Sequence, residues 1–135
     1  MTWRLAKRLE TLRAQINAHW PKRSKISDGT IGDAAHATRS SDHNPYIKDA
    51  SGQGVVRAFD ITRDPANGPD LTKLIPLFLA DKRTRYVIYD KKIYNPSING
   101  GAPRPYTGTN AHQKHLHISV GEAAVHYDSP LQWQI

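Results

Sequence analysis

Three of the chain's seven histidines fall within six residues of "AHQKHLHISV" (111–120): His112, His115 and His117. Neutral imidazole binds metal or exchanges protons near pH 7. If "HLHISV" is a strand, His115, His117 and Ser119 share one face, while Leu116, Ile118 and Val120 share the other. The apolar face belongs on the core, so the histidine face looks into a cleft or into solvent. A His-x-His pair alone is compatible with an exposed polar strand. A second cluster upstream gives it more meaning. "RSSDHNP" (39–45) places His43 in a polar turn, and "VVRAFDI" (55–61) places Asp60 in an otherwise apolar strand. A carboxylate among Val, Ala, Phe and Ile is costly to bury unless paired, hydrogen-bonded or metal-bound. The alternative for Asp60 is an ion pair with a nearby arginine, or a turn cap.

Together His43, Asp60 and His117 offer two nitrogen donors and one oxygen donor, the count of a catalytic zinc that keeps one position open. His112 and His115 would then be left to handle protons. The chain has no cysteine, so thiolate sites and disulfides are excluded and any metal must be held by His, Asp, Glu or water.

These residues must be positioned by a small domain. The 135 residues suit one unit, 1–135, with a single core. Leu5, Leu9, Leu12, Ile16 and Trp20 make one face of a helix over 3–20, with Arg4, Lys7, Arg8 and Arg13 mostly opposite. A core-packing first helix is expected, rather than a basic helix lying on a membrane. Residues 21–50 read as irregular, and 54–62 as one strand. Leu71, Leu74, Ile75, Phe78 and Leu79 have helical spacing, interrupted by Pro76, which predicts a kink or two short pieces. Residues 85–95 read as two strands about a turn near Asp90-Lys91, 96–111 as a loop, and "HLHISV" as the closing strand. The expected fold is α+β: a small, mainly antiparallel sheet with flanking helices.

The formal charge of +7 favours an acidic partner, whether nucleic acid, an anionic membrane surface or a cell-wall polymer. No apolar run approaches the roughly 18 residues of a membrane span, and the N-terminus lacks the apolar core of a signal peptide.

The ordered set "S-x-H", an Asp in a strand, and "H-x-x-H-x-H" resembles the zinc peptidases of peptidoglycan: D-alanyl-D-alanine carboxypeptidases, L-alanyl-D-glutamate endopeptidases and penicillin-insensitive murein endopeptidases. Their fold is shared with hedgehog signalling domains. "RSSDHNP", "GVVRAFDIT" and "YTGTNAHQKHLHISV" are especially similar to peptidase modules of actinobacterial phage lysins, over about Ile26 to Val120. The resemblance implies Zn²⁺ held by His43, Asp60 and His117. It implies His115 as general base and His112 as proton donor or stabiliser of the tetrahedral intermediate, with the division between the two left open. It places Arg39 in the neighbourhood of a substrate-contacting residue. Tyr106, Thr109 and Asn110, in the loop before the histidines, are candidates for substrate contact or for an ordinary turn.

Two departures stand out. Sixteen residues separate His43 from Asp60, a longer interval than in many relatives, and Asp42 and Asp49 lie close by as rivals. Lys114 stands three positions before His117, where carboxypeptidase relatives carry an acidic base, so the base should be a histidine. What the resemblance implies is a monomeric lysis enzyme made in the host cytoplasm and acting on the cell wall after release. Its substrate would be the stem peptide, with anionic wall polymers as charge partners, and with neither nucleic acid nor membrane insertion. The competing readings are a His-Asn-His-type nuclease, for which "SDHNPYIKDASGQG" must be followed by a helix, and a zinc-bearing binding module without catalysis.

Overall fold

The computed structural model describes residues 3–32, 41–108 and 112–135. Its elements in chain order are β1 (Trp3–Leu5), α1 (Lys7–His19), β2 (Ile47–Lys48), β3 (Gly54–Val56), β4 (Ala58–Thr62), α2 (Leu71–Ala80), β5 (Thr84–Tyr89), β6 (Lys92–Tyr94), a 3₁₀ turn (Asn99–Gly101), β7 (Arg104–Pro105), β8 (His115–Val120) and α3 (Ala124–Tyr127). The class is α+β. A five-stranded antiparallel sheet has the order β4-β8-β5-β6-β7, and a three-stranded sheet the order β1-β3-β2. No helix among the described residues is long and apolar enough to cross a membrane.

One face of the larger sheet carries the core. Phe59 and Ile61 of β4, Val87 of β5, and Leu116, Ile118 and Val120 of β8 pack with Leu71, Leu74, Ile75 and Phe78 of α2 and with Leu9, Leu12 and Ile16 of α1. Because side chains alternate along a strand, this burial sends Asp60, His115, His117 and Ser119 to the opposite face. The β5–β6 hairpin turns on Asp90 and Lys91, both at positive φ (49° and 65°), the backbone of a two-residue turn matched to strand twist.

The structure departs from the sequence expectations in several places, among them the short strands β2 and β7, which lie in segments expected to be irregular (21–50) and a loop (96–111). Residues 3–5 form a strand, paired in parallel with β3, and the first helix starts at Lys7. Leu5 satisfies the helical stripe and the strand equally, and a pairing across fifty residues leaves no local periodicity. Arg8 is buried instead of facing solvent. Its guanidinium lies 4.0 Å over the Trp133 ring and pairs with Asp81. The run 54–62 breaks at Arg57 into β3 and β4, which belong to different sheets. There the Arg57 backbone N–H donates to the Asp42 carbonyl, and the Arg57 carbonyl accepts from Val120. Pro76 neither splits nor ends α2, which runs unbroken from Leu71 to Ala80. One missing N–H is offset by the packed stripe of Leu71, Leu74, Ile75 and Phe78. Strands β2 to β4 follow His43 and Pro45, in place of the helix that a His-Asn-His nuclease requires.

Candidate metal centre

The two clusters converge. β4 and β8 pair in register with Asp60 opposite His117 and Thr62 opposite His115. His43 arrives from the turn before β2 and reaches Asp60 from the outer edge of β4. Its Nε2 lies 3.2 Å from Asp60 Oδ1, and His117 Nδ1 lies 3.3 Å from the same oxygen. His115 Nε2 lies 3.6 Å from Asp60 Oδ2. The His112 ring stands 5.0 Å from that of His115 and 5.5 Å from that of His117. Four of the chain's seven histidines thus surround one carboxylate. His43, Asp60 and His117 offer one ligand atom each within 4.8 Å of one another, and so do Asp60, His112 and His115.

The polar partners of these rings fix which nitrogen faces inward. His43 Nδ1 is 2.7 Å from the Thr30 carbonyl, which can only accept. Nδ1 therefore carries a proton, and Nε2 is the nitrogen presented to Asp60. His117 Nε2 is 2.8 Å from the hydroxyl of fully buried Ser119. The hydroxyl can accept from that nitrogen or donate to it, and either way it fixes the ring edge that faces the core of the site, presenting His117 Nδ1 to Asp60. Hydrogen bonds of this kind hold the tautomer and ring angle of metal-binding histidines. Tyr86 adds a steric brace, its ring stacked on His117 at 5.4 Å and 5°.

Two features fit these residues to a cation. His117 Nδ1 and His115 Nε2 are buried and make no hydrogen bond among the described residues. Such atoms are costly unless something else meets them. The set also joins imidazole nitrogen to a carboxylate oxygen, a donor mixture suited to a borderline divalent ion. The site can hold a metal ion.

Charge follows the same geometry. Burial pushes the Asp60 carboxyl up, but the imidazoles of His117 and His43 more than offset this and hold it well below the ordinary carboxylate range. Burial pushes His43 down, and the hydrogen bond and charge of Asp60 raise it overall above the usual histidine value. His115 is lowered, by burial first and by its imidazole neighbours next, against the upward pull of Asp60. His115 is therefore the imidazole held neutral beside the cluster. His112 has φ of 54°, an unusual conformation for a non-glycine residue. It is pinned there in part by its carbonyl, which accepts from Asp90 N–H at 2.9 Å.

The rival acids are occupied elsewhere. Buried Asp42 receives Arg57 at 2.9 Å, the Tyr46 hydroxyl at 2.7 Å and Arg85 at 3.0 Å. Asp49 pairs with Arg4 at 2.9 Å. Tyr106 is close to the site, its ring 5.4 Å from that of His112. Arg39, Thr109 and Asn110 lie outside the described residues.

Several positioning residues were not foreseen. Gly29 bridges Asp60 through its N–H and carbonyl (3.3 and 2.9 Å), closing the free edge of β4 and presenting Thr30 to His43. A Cβ at Gly29 would stand 2.9 Å from Asp60 Oδ2, so the close approach needs glycine. The lone signal in sequence was "SDGT" (27–30), an ordinary turn string. Ser119 is placed on the histidine face by strand alternation, but its bond to His117 is not. Comparison of the chain with family models, with curated proteins and with solved structures finds no match.

Proposed function

We propose that the protein is a zinc-dependent peptidase that hydrolyses an amide bond in the stem peptide or cross-link of bacterial peptidoglycan. In this reading it is a phage lysis enzyme or its catalytic domain, with the fold of the D-Ala-D-Ala peptidase and hedgehog group. One observation carries the proposal: two inward-facing imidazoles and a carboxylate gather at one point, with two further histidines beside them that this donor set does not require. A purely structural zinc site has no use for that surplus. The ordered motif set that resembles peptidoglycan peptidases supplies the substrate class.

His43, Asp60 and His117 would hold the zinc. Bound there, zinc supplies a Lewis acid for the scissile carbonyl and brings the pKa of water toward neutrality. His115, neutral and with an unpartnered Nε2 beside Asp60, is suited to accept a proton near pH 7 and pass it to the leaving amine. His112, held against His115, can stabilise developing negative charge or share the proton. The basic surface, +7 overall, would lengthen residence on anionic wall polymers, an effect that added salt weakens.

The test is mass spectrometry of fragments released from purified peptidoglycan by the parent protein, by the chelated protein and by His115→Ala. The parent is expected to release stem-peptide fragments with a newly exposed amine, and the chelated protein none. His115→Ala should retain zinc and lose turnover by about 10²–10⁴-fold, the range of general acid–base catalysis. Retention of most activity by His115→Ala would remove it as the base, and a metal-free His115→Ala would make it a ligand.

A further inference from the structure

The larger sheet aligns five residues in one directly opposed row. Asp60 faces His117 across β4 and β8, His117 faces Ile88 on β5, Ile88 faces Ile93 on β6, and Ile93 faces Arg104 on β7. Directly opposed residues project to the same side of a sheet. Arg104 is therefore on the metal-binding face, at the far end of the row that begins with two candidate ligands. The residues between are apolar, Ile88 buried and Ile93 half-buried, and offer the guanidinium no carboxylate.

Arg104 is half-buried, and its Nε is buried without a hydrogen-bond partner. Its guanidinium makes no ion pair among the described residues. Arg4, Arg8, Arg23, Arg57 and Arg85, by contrast, each face an aspartate. An arginine that gives up part of its hydration without gaining a partner is what an anion site looks like before its anion arrives. Two residues on, Tyr106 projects to the same side and ties this edge to the metal site by its contact with His112. Gly108 lets that ring fold back, since a Cβ there would lie within 2.3 Å of Tyr106 ring carbon Cζ.

We infer that Arg104 is a carboxylate-recognition site, and that the peptide cleaved carries a free carboxylate a few residues from the scissile bond. Three strand spacings of about 4.8 Å separate His117 from Arg104, about 14 Å in all, a span covered by about four residues of extended peptide at ~3.4 Å each. The inference rests on the peptidase reading for its substrate. The anion site rests on the Arg104 geometry.

The experiment uses the zinc-loaded full chain and two synthetic stem peptides that differ only in carboxylate against carboxamide at one position. Each is tested for cleavage and, by calorimetry, for binding. The parent is expected to favour the carboxylate peptide by about tenfold or more, chiefly in KM, as for a charge-assisted bond. Arg104→Gln should erase that preference by bringing kcat/KM on the carboxylate peptide down to the level of the carboxamide peptide. Arg104→Lys, which keeps the charge without the planar fork, should keep part of it and gives the answer if the Gln variant does not fold. If both peptides are cleaved alike and neither variant alters their ratio, the Arg104 site is refuted and the peptidase reading stands. If neither peptide is cleaved but the carboxylate form binds tighter through Arg104, the anion site stands and the peptidase reading falls.

Discussion

Replacing Ser119 with alanine probes the metal centre from behind. Ser119 is fully buried, touches no candidate ligand atom, and acts through His117 Nε2 at 2.8 Å. The substitution removes a single oxygen. Nearby Asp42 keeps Arg57, Arg85 and the Tyr46 hydroxyl, so no buried carboxylate is orphaned. The loss therefore concentrates on His117, whose Nε2 is left without its partner, at a cost of about 1–3 kcal/mol, and whose ring becomes free to turn. Loss of such a supporting hydrogen bond weakens metal affinity by about 10–100-fold, or roughly 1.4–2.7 kcal/mol. Competition of Ser119→Ala against a chelator of known affinity should read that change, and Ser119→Thr, which keeps the hydroxyl, should restore most of it. Nitrogen NMR of the metal-free protein should show a His117 protonation pattern in Ser119→Ala that differs from the parent's. Zinc affinity within twofold of the parent, with the His117 pattern unchanged, would refute the bracing role of Ser119.

Two further perturbations follow from the same geometry. Gly29→Ala places a methyl group 2.9 Å from Asp60 Oδ2 and should displace the carboxylate, lowering metal affinity at least tenfold in the same competition; unaltered affinity would show that the spacing at Gly29 does not place that oxygen. Asp42→Asn leaves Arg57, 1% exposed, without its charge partner and should destabilise the metal-free fold by about 3–5 kcal/mol, lowering the melting temperature by about 10 °C or more. Burial pushes the Asp42 carboxyl up, but Tyr46, Arg57 and Arg85 hold it below its ordinary value. Its stabilising contribution is therefore complete above the unfolded pKa of about 3.9 and lost as pH falls through the lower folded value. The parent should show this acid limb in melting curves, and Asp42→Asn should flatten it.

Much of the centre was legible because it sits on strands. Period-two alternation put His115, His117 and Ser119 on one face, and the same alternation made Asp60 the misplaced acid of an apolar run. Those two inferences need only local sequence. The β4–β8 register that sets Asp60 opposite His117 does not, yet it follows once both apolar faces seek one core. What stayed hidden depends on contacts between distant residues. Asp42 looks from sequence like a rival ligand, whereas it anchors Arg57 from the strand break and Arg85 from β5. The break itself carries no Gly or Pro to announce it. Arg8, placed by helical phase among solvent-facing cations, is buried because Trp133 and Asp81 arrive from elsewhere in the chain.

These hidden contacts explain how so small a protein can keep several unsatisfied nitrogens in register. A carboxylate ringed by imidazoles collapses into ordinary hydrogen bonds if the rings can turn. Here three of the four rings are restrained from outside: His43 by the Thr30 carbonyl, His117 by Ser119 and the face of Tyr86, His112 by a left-handed backbone tied to the β5–β6 turn. One buried residue adjoins both halves of the site. Asp42 is the chain neighbour of His43, and it lies near Ser119, which braces His117. The Arg57–Asp42 pair therefore joins the two halves of the metal site at the point where the two sheets part. Its neutralisation should loosen both candidate histidine ligands together, whereas loss of Ser119 should loosen His117 alone.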